Sequence, residues 1–204
     1  MRIALLHHTF PPVVGGVESV LREHALRFAR AGHGVTVVAG EGAEPGDGVR
    51  LHRIPGLLAS HPDTAAAREE VLAGPPGPAF VRSQQAMETA LRDALADCEA
   101  VFIHNLLTMP FHPAAATALA GLAADPGIRW HGRCFSWIHD IAYANPDYRL
   151  PAPDRTPWRL LVSRLPGVRS VAVSAHRNRQ WETLAGSDPG DTVIPNGVDP
   201  DRFL

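Results

Sequence analysis

Several polar side chains in this sequence stand directly behind short apolar runs, where a reactive group can be held at a fixed point. His7 and His8 follow the run at 3–6, His104 and Asn105 the run at 100–103, and His139 and Asp140 the run at 134–138. Ser174 follows the run at 170–173, and Asn196 lies just past 192–194. Imidazole, carboxylate, amide and hydroxyl groups at such places suit hydrogen bonding to a polar substrate and proton handling near neutral pH. The segment Pro11 to Glu18 adds a second kind of chemistry. Its paired Gly15 and Gly16, followed by Val17 and Glu18, precede a helical pattern. Glycines there allow a ligand close to the backbone, and the free amides of a helix start favour anionic oxygens such as phosphate.

Other chemistries fit poorly. The glycine loop is not a dinucleotide fingerprint, because two prolines precede it and no glycine turns the chain directly after the first run; Glu41 then has no ribose to hold. None of the 11 histidines forms the helical pair with an intervening glutamate used by zinc hydrolases. His7 and His8, taken as strand neighbours, point to opposite faces and do not chelate, so no metal site is expected. Ser174 lies between Val173 and Ala175 and lacks the flanking glycines of a hydrolase nucleophile.

The elements that must position these residues alternate regularly. Apolar runs at 3–6, 35–39, 49–54, 100–103, 134–138, 170–173 and 192–194 predict strands. Between them, helical stripes are predicted from Val17 to a stop at Gly32, over 63–72, from about Phe80 to Cys98, over 113–124, over 158–165 and over 175–184. Strand–helix alternation of this kind implies an α/β fold with a doubly wound parallel sheet. In such a sheet all strands point one way, so His7, His104, His139 and Ser174 are expected on one rim.

At 204 residues the chain is long enough for one α/β domain with a sizeable core, and a single domain over 1–204 is expected. The formal net charge of −2 supplies no basic face for nucleic acid, although every one of the 19 basic residues is arginine. Two cysteines, Cys98 and Cys134, are too few for a disulfide framework and fit buried thiols in a reducing compartment. The opening apolar run is too short for a signal peptide, and no run approaches a membrane span; a soluble cytoplasmic protein is expected. Arg149, Arg155, Arg159, Arg164 and Arg169 surround an apolar stripe of Trp158, Leu161, Val162 and Leu165. A helix there could lie on an anionic membrane surface. Packing of the stripe on the sheet is favoured over that peripheral contact, because a doubly wound sheet needs cover at this place.

Four segments in order resemble the retaining glycosyltransferases of family 4. They are Gly15-Gly16-Val17-Glu18, the strand Ser136 to Ile138 with His139 and Asp140, the strand from Val168 ending in Ser174, and the segment Ile194 to Asp199 with Arg202 and Phe203. The resemblance implies a GT-B fold, in which two Rossmann-like domains face each other across a cleft, and identifies this chain with the N-terminal, acceptor-binding one. It implies transfer from a nucleotide-sugar to a hydroxyl of a sugar, lipid-linked or small-molecule acceptor, with no cofactor. It implies His139 as the active-site histidine with Asp140 beside it, and Gly15 to Glu18 as the loop against the donor phosphates. His7, His104, Asn105, Ser174 and Asn196 then line the cleft rim. The family's pair of donor-domain glutamates has no counterpart, so the donor-binding domain is expected in cis or in trans, and the isolated chain is expected to be inactive. The alternative is a non-catalytic module that holds a sugar or a partner.

Overall fold

A computed structural model of the chain describes residues 1–197; Val198, Asp199, Arg202 and Phe203 of the closing segment lie outside the described residues. The strands are β1 (Arg2–Leu6), β2 (Gly34–Ala39), β3 (Val49–Arg53), β4 (Ala100–His104), β5 (Cys134–Ile138), β6 (Val168–Ala172) and β7 (Thr192–Val193). The helices are α1 (Gly16–Arg30), α2 (Pro62–Ala73), α3 (Pro78–Leu95), α4 (Pro113–Ala124) and α5 (Ala175–Ala185). All seven strands pair in parallel in the order β3-β2-β1-β4-β5-β6-β7. This is the α/β doubly wound, Rossmann-like sheet that the sequence predicts, and strand order reverses between β1 and β4.

Alternation along the strands builds two cores. On β1, Ile3 and Leu5 pack with Val35, Val37 and the α1 residues Leu21, Ala25 and Leu26. Ala4 and Leu6 point the other way, joining Val38 and Ile103 beneath α2, α3 and α4. The α3 stripe of Phe80, Met87, Leu91 and Leu95 is buried as its spacing predicts. At the far end of the sheet, Trp181 of α5 packs on Ile138 and Ile141 and donates its indole N–H to Ser170 Oγ at 3.0 Å. Gly32, at φ 84°, follows the α1 C-cap Ala31 and stops the helix as expected. Cys98 and Cys134 are buried free thiols, and burial pushes Cys134 up to about 12.

Two expectations are corrected. The stripe at 158–165 is not an amphipathic α-helix; only a 3-10 segment, Trp158–Val162, forms. Pro157 opens it and Pro166 disfavours helical backbone at Leu165, so too few residues remain for α-helical turns. Trp158 and Leu161 are buried, with the Trp158 indole N–H donating to the Val71 carbonyl at 3.1 Å. Arg164 is bound to Asp191 and to the Gly186 carbonyl. The apolar stripe is therefore spent on the core, and the basic amphipathic helix that would touch a membrane does not exist. Second, His7 and His8 do not sit on opposite faces of a strand. Both lie past the end of β1 at Leu6, and their rings approach to 4.8 Å. Among the described residues, no helix is long and apolar enough to cross a membrane.

The turn into β6 gives a stability test. Gly167 has φ 74°, and a Cβ there would overlap the Ala123 carbonyl oxygen, whereas Gly32 at φ 84° faces open space. Gly167→Ala should cost roughly 2–5 kcal/mol, combining left-handed strain with overpacking, and Gly32→Ala only about 1–2 kcal/mol. Urea denaturation of the two variants against the parent checks the ranking; equal losses would contradict it.

Candidate functional site

At the switch point, the loops leaving β1 and β4 diverge and open a cavity of about 460 Å³. The β1 loop contributes His7, His8, Thr9, Gly16, Val17 and Glu18, the β4 loop Asn105, Met109 and Phe111, and the segment after β3 Leu58 and Ser60. Glu41, after β2, completes the acidic side. No arginine lines it. A separate cavity of about 360 Å³ lies between α2 and α3 beside Gly56, Ser83 and Met87, and none of the strand-end histidines reaches it.

Asn105 organises the rim. Its backbone takes the left-handed conformation at φ 56°, one that asparagine tolerates better than most residues. The chain thereby turns off β4 and its side-chain oxygen accepts the amides of His139, at 2.8 Å, and Asp140, at 3.0 Å. His7 Nδ1 donates to the His104 carbonyl at 2.8 Å. The ends of β1, β4 and β5 are thus bonded to one another through side chains. At the next strand end, Ser174 caps α5 by accepting the Arg177 amide at 3.1 Å. Asn196, three residues past the end of β7, is exposed.

His104 and His139 meet directly, His104 Nδ1 standing 3.0 Å from His139 Nε2. His104 is wholly buried, so its side chain holds a neighbour rather than lining the cavity. Burial drives the His104 ring well below the ordinary histidine value and brings His139 down to about 4, with His7 and His24 adding to the effect. Both rings are neutral at pH 7. Asp140 does not orient His139: its Oδ1 accepts the Ile141 amide at 2.9 Å and stands 3.1 Å from the Arg177 guanidinium. Arg177 also donates to the His139 carbonyl at 3.1 Å, fixing the backbone under the ring.

The glycine loop carries its own anion. The Glu18 carboxylate folds back over Gly15, where a Cβ would overlap it, and accepts the Thr9 hydroxyl at 2.6 Å. His7 Nε2 lies 3.6 Å away, and these two partners, His7 foremost, hold Glu18 down to about 2. Gly16, by contrast, has open space around it and marks where a ligand can approach the helix start.

Each of these residues except Asn196 is brought to the β1–β4–β5–β6 rim. Missing from the sequence reading are Thr9, Arg177, the half-buried ring of His24 and the buried ring of His112. His24 packs edge-on against Trp137 at 4.8 Å, and His112 stacks on His8 at 4.3 Å. His24 was visible only as one member of a helical stripe, and His112 only as a residue before a proline. Among the described residues, no group of three or more metal-ligating side chains gathers.

The model of Glycosyltransferase Family 4 matches residues 14–202. The chain belongs to that family. No curated protein gives a sequence match to it. Among solved structures its fold is similar to that of WaaG, described as a glycosyltransferase involved in lipopolysaccharide biosynthesis, with a TM-score of 0.59 and 15% identity. That similarity covers 98% of this chain and 46% of the other, so the chain spans under half the length of that protein. The seven-stranded parallel sheet thus matches one Rossmann-like half of a GT-B glycosyltransferase fold.

Neutral buried histidines make stability depend on pH. His139 and His112 titrate near 6.5 when unfolded, but burial holds them at about 4 and about 3 in the fold. Between those values the unfolded chain binds more protons than the folded one. Their contribution is therefore complete above pH 6.5 and lost as pH falls toward 4; Glu18 adds its own loss only below about 4.5. The melting temperature should already drop between pH 7 and pH 5, and His112→Phe should flatten that slope. A melting temperature constant over this range would contradict neutral burial.

Proposed function

We propose that this chain is the acceptor-side, N-terminal half of a retaining glycosyltransferase that moves a sugar, a hexose by type, from a nucleotide-sugar to a hydroxyl acceptor. The single observation that carries the reading is a cavity at the switch point of a family 4 sheet, lined by Gly16, Glu18 and Asn105, with Asn105 holding the backbone of His139 beside it. The donor's nucleotide would be held by a second domain, in cis or in trans, and without it the chain is inactive. A sugar, lipid-linked or small-molecule acceptor would enter the cavity, whose carboxylates, hydroxyls and amide suit hydroxyl groups and whose Phe111 and Val17 offer an apolar wall. No metal or organic cofactor is required by this reading. A reducing cytoplasmic setting fits the two free thiols.

In a retaining transfer of this kind, the acceptor oxygen bonds to the anomeric carbon on the face from which the nucleotide phosphate departs. The acceptor proton passes to the departing phosphate oxygen, so no protein nucleophile is needed. The helix start at Gly16 would then meet the charge that gathers on the phosphate. His139 would hydrogen-bond the sugar and hold it in position for the transfer, while Asp140 and Arg177 keep its backbone in place.

Two variants test this with the donor domain supplied. His139→Ala should lower kcat/KM by about a hundredfold or more. Gly16→Val should remove most turnover yet leave the fold intact, because a side chain there meets no protein atom and φ is not left-handed. Unchanged turnover in both folded variants, with donor still bound, would overturn the assignment.

A further inference from the structure

The His104–His139 pair raises a question that the proposed function leaves open: which ring holds the hydrogen between them. The two nitrogens lie 3.0 Å apart and both rings are neutral, so one nitrogen donates and the other accepts. The remaining nitrogen of His104 decides the matter. His104 Nε2 is buried and has no hydrogen-bond partner among the described residues. Around the ring stand Trp137, stacked at 5.8 Å, and His24, tilted at 5.4 Å, with no acceptor positioned for Nε2. A buried N–H with nothing to receive it is rarer and costlier than a bare acceptor nitrogen without a donor. The hydrogen of His104 therefore resides on Nδ1 and points at His139 Nε2. A neutral His139 that accepts through Nε2 must carry its own hydrogen on Nδ1.

We propose that His104 is a positioning residue that locks His139 in its Nδ1–H tautomer, so that His139 presents an N–H donor, and not a base, to the bound sugar. Unconstrained imidazole favours the opposite tautomer, with hydrogen on Nε2, so this assignment is a departure that the buried partner imposes. The chemical consequence is specific. His139 reaches a ligand oxygen that can accept, such as a sugar hydroxyl or ring oxygen, and takes no proton from the acceptor hydroxyl. That last step rests on the reading of the rim as a sugar site; the tautomer does not.

Nitrogen NMR on the chain with 15N-labelled histidine, at pH 7.5 and without ligand, reads the tautomer directly. His139 should show a protonated Nδ1 and an unprotonated Nε2, and His104 the same pattern. In His104→Phe, which keeps the ring but offers no hydrogen, His139 should lose the Nδ1–H form and move toward Nε2–H. His104→Asn, whose amide N–H stands near the place of Nδ1, should restore it. An Nε2–H form of His139 in the parent, or an Nδ1–H form that survives His104→Phe, would overturn the proposal. Should His104→Phe fail to fold, the parent spectrum and His104→Asn decide between the same two outcomes. The measurement needs no donor or acceptor, so a failure to transfer sugar leaves its result standing.

Discussion

A parallel sheet brings all its strand ends to one rim, and at that rim the ladder stops supplying hydrogen-bond partners. Backbone amides just past β4 and β5 would lie half-buried and unpaired unless side chains met them. Asn105 meets two of them with one oxygen, and it can do so only because its own backbone turns through the left-handed region. His7 ties the carbonyl of His104 to β1, and Ser174 caps α5 at β6. The residues placed to recognise a ligand are the same ones that close the sheet. That dual duty couples the site to the sheet: moving the backbone of His139 would strip partners from the ends of β4 and β5.

Charge is distributed so that the rim stays neutral inside and acidic outside. Burial keeps His8, His24, His104, His112 and His139 uncharged, and their rings pack on one another and on Trp137. Within the cavity wall the Glu18 carboxylate stands 3.6 Å from His7 Nε2, and it lies at the start of α1 where a carboxylate is favoured. Arginines stand back: Arg177 is engaged with Asp140, and Arg164 with Asp191. Among the residues that line this cavity, Thr9, Glu18, Glu41, Ser60 and Asn105 offer a ligand oxygen acceptors, hydroxyls and an amide.

Much of this was legible because period and position coincide. Apolar runs of five residues with a polar residue behind them, such as Cys134–Ile138 before His139, specify both a buried strand and a rim side chain. The α3 stripe, spaced by threes and fours, specifies its buried face just as directly. Two kinds of information were not legible. Local chain geometry decided residues 158–165, where prolines on both sides limited a helical pattern to a 3-10 segment. Partnerships across the sheet decided the site itself. His104 and His139 lie 35 positions apart in sequence, and no pattern along the chain shows that one faces the core while the other faces the rim. Glu18 looked like part of a phosphate loop, whereas in the fold its carboxylate already covers Gly15.

The account stands on the switch-point cavity being where ligand binds. Amide chemical-shift mapping tests that most directly: 15N-labelled chain titrated with a panel of methyl glycosides at millimolar concentration, with the shifts assigned to residues. Shifts should concentrate at Gly16, Glu18 and Asn105, which line the cavity between the β1 and β4 loops, and at Asp140, whose amide is bonded to Asn105. Shifts confined to Gly56, Ser83 and Met87, around the cavity between α2 and α3, with the strand-end rim unmoved, would contradict it.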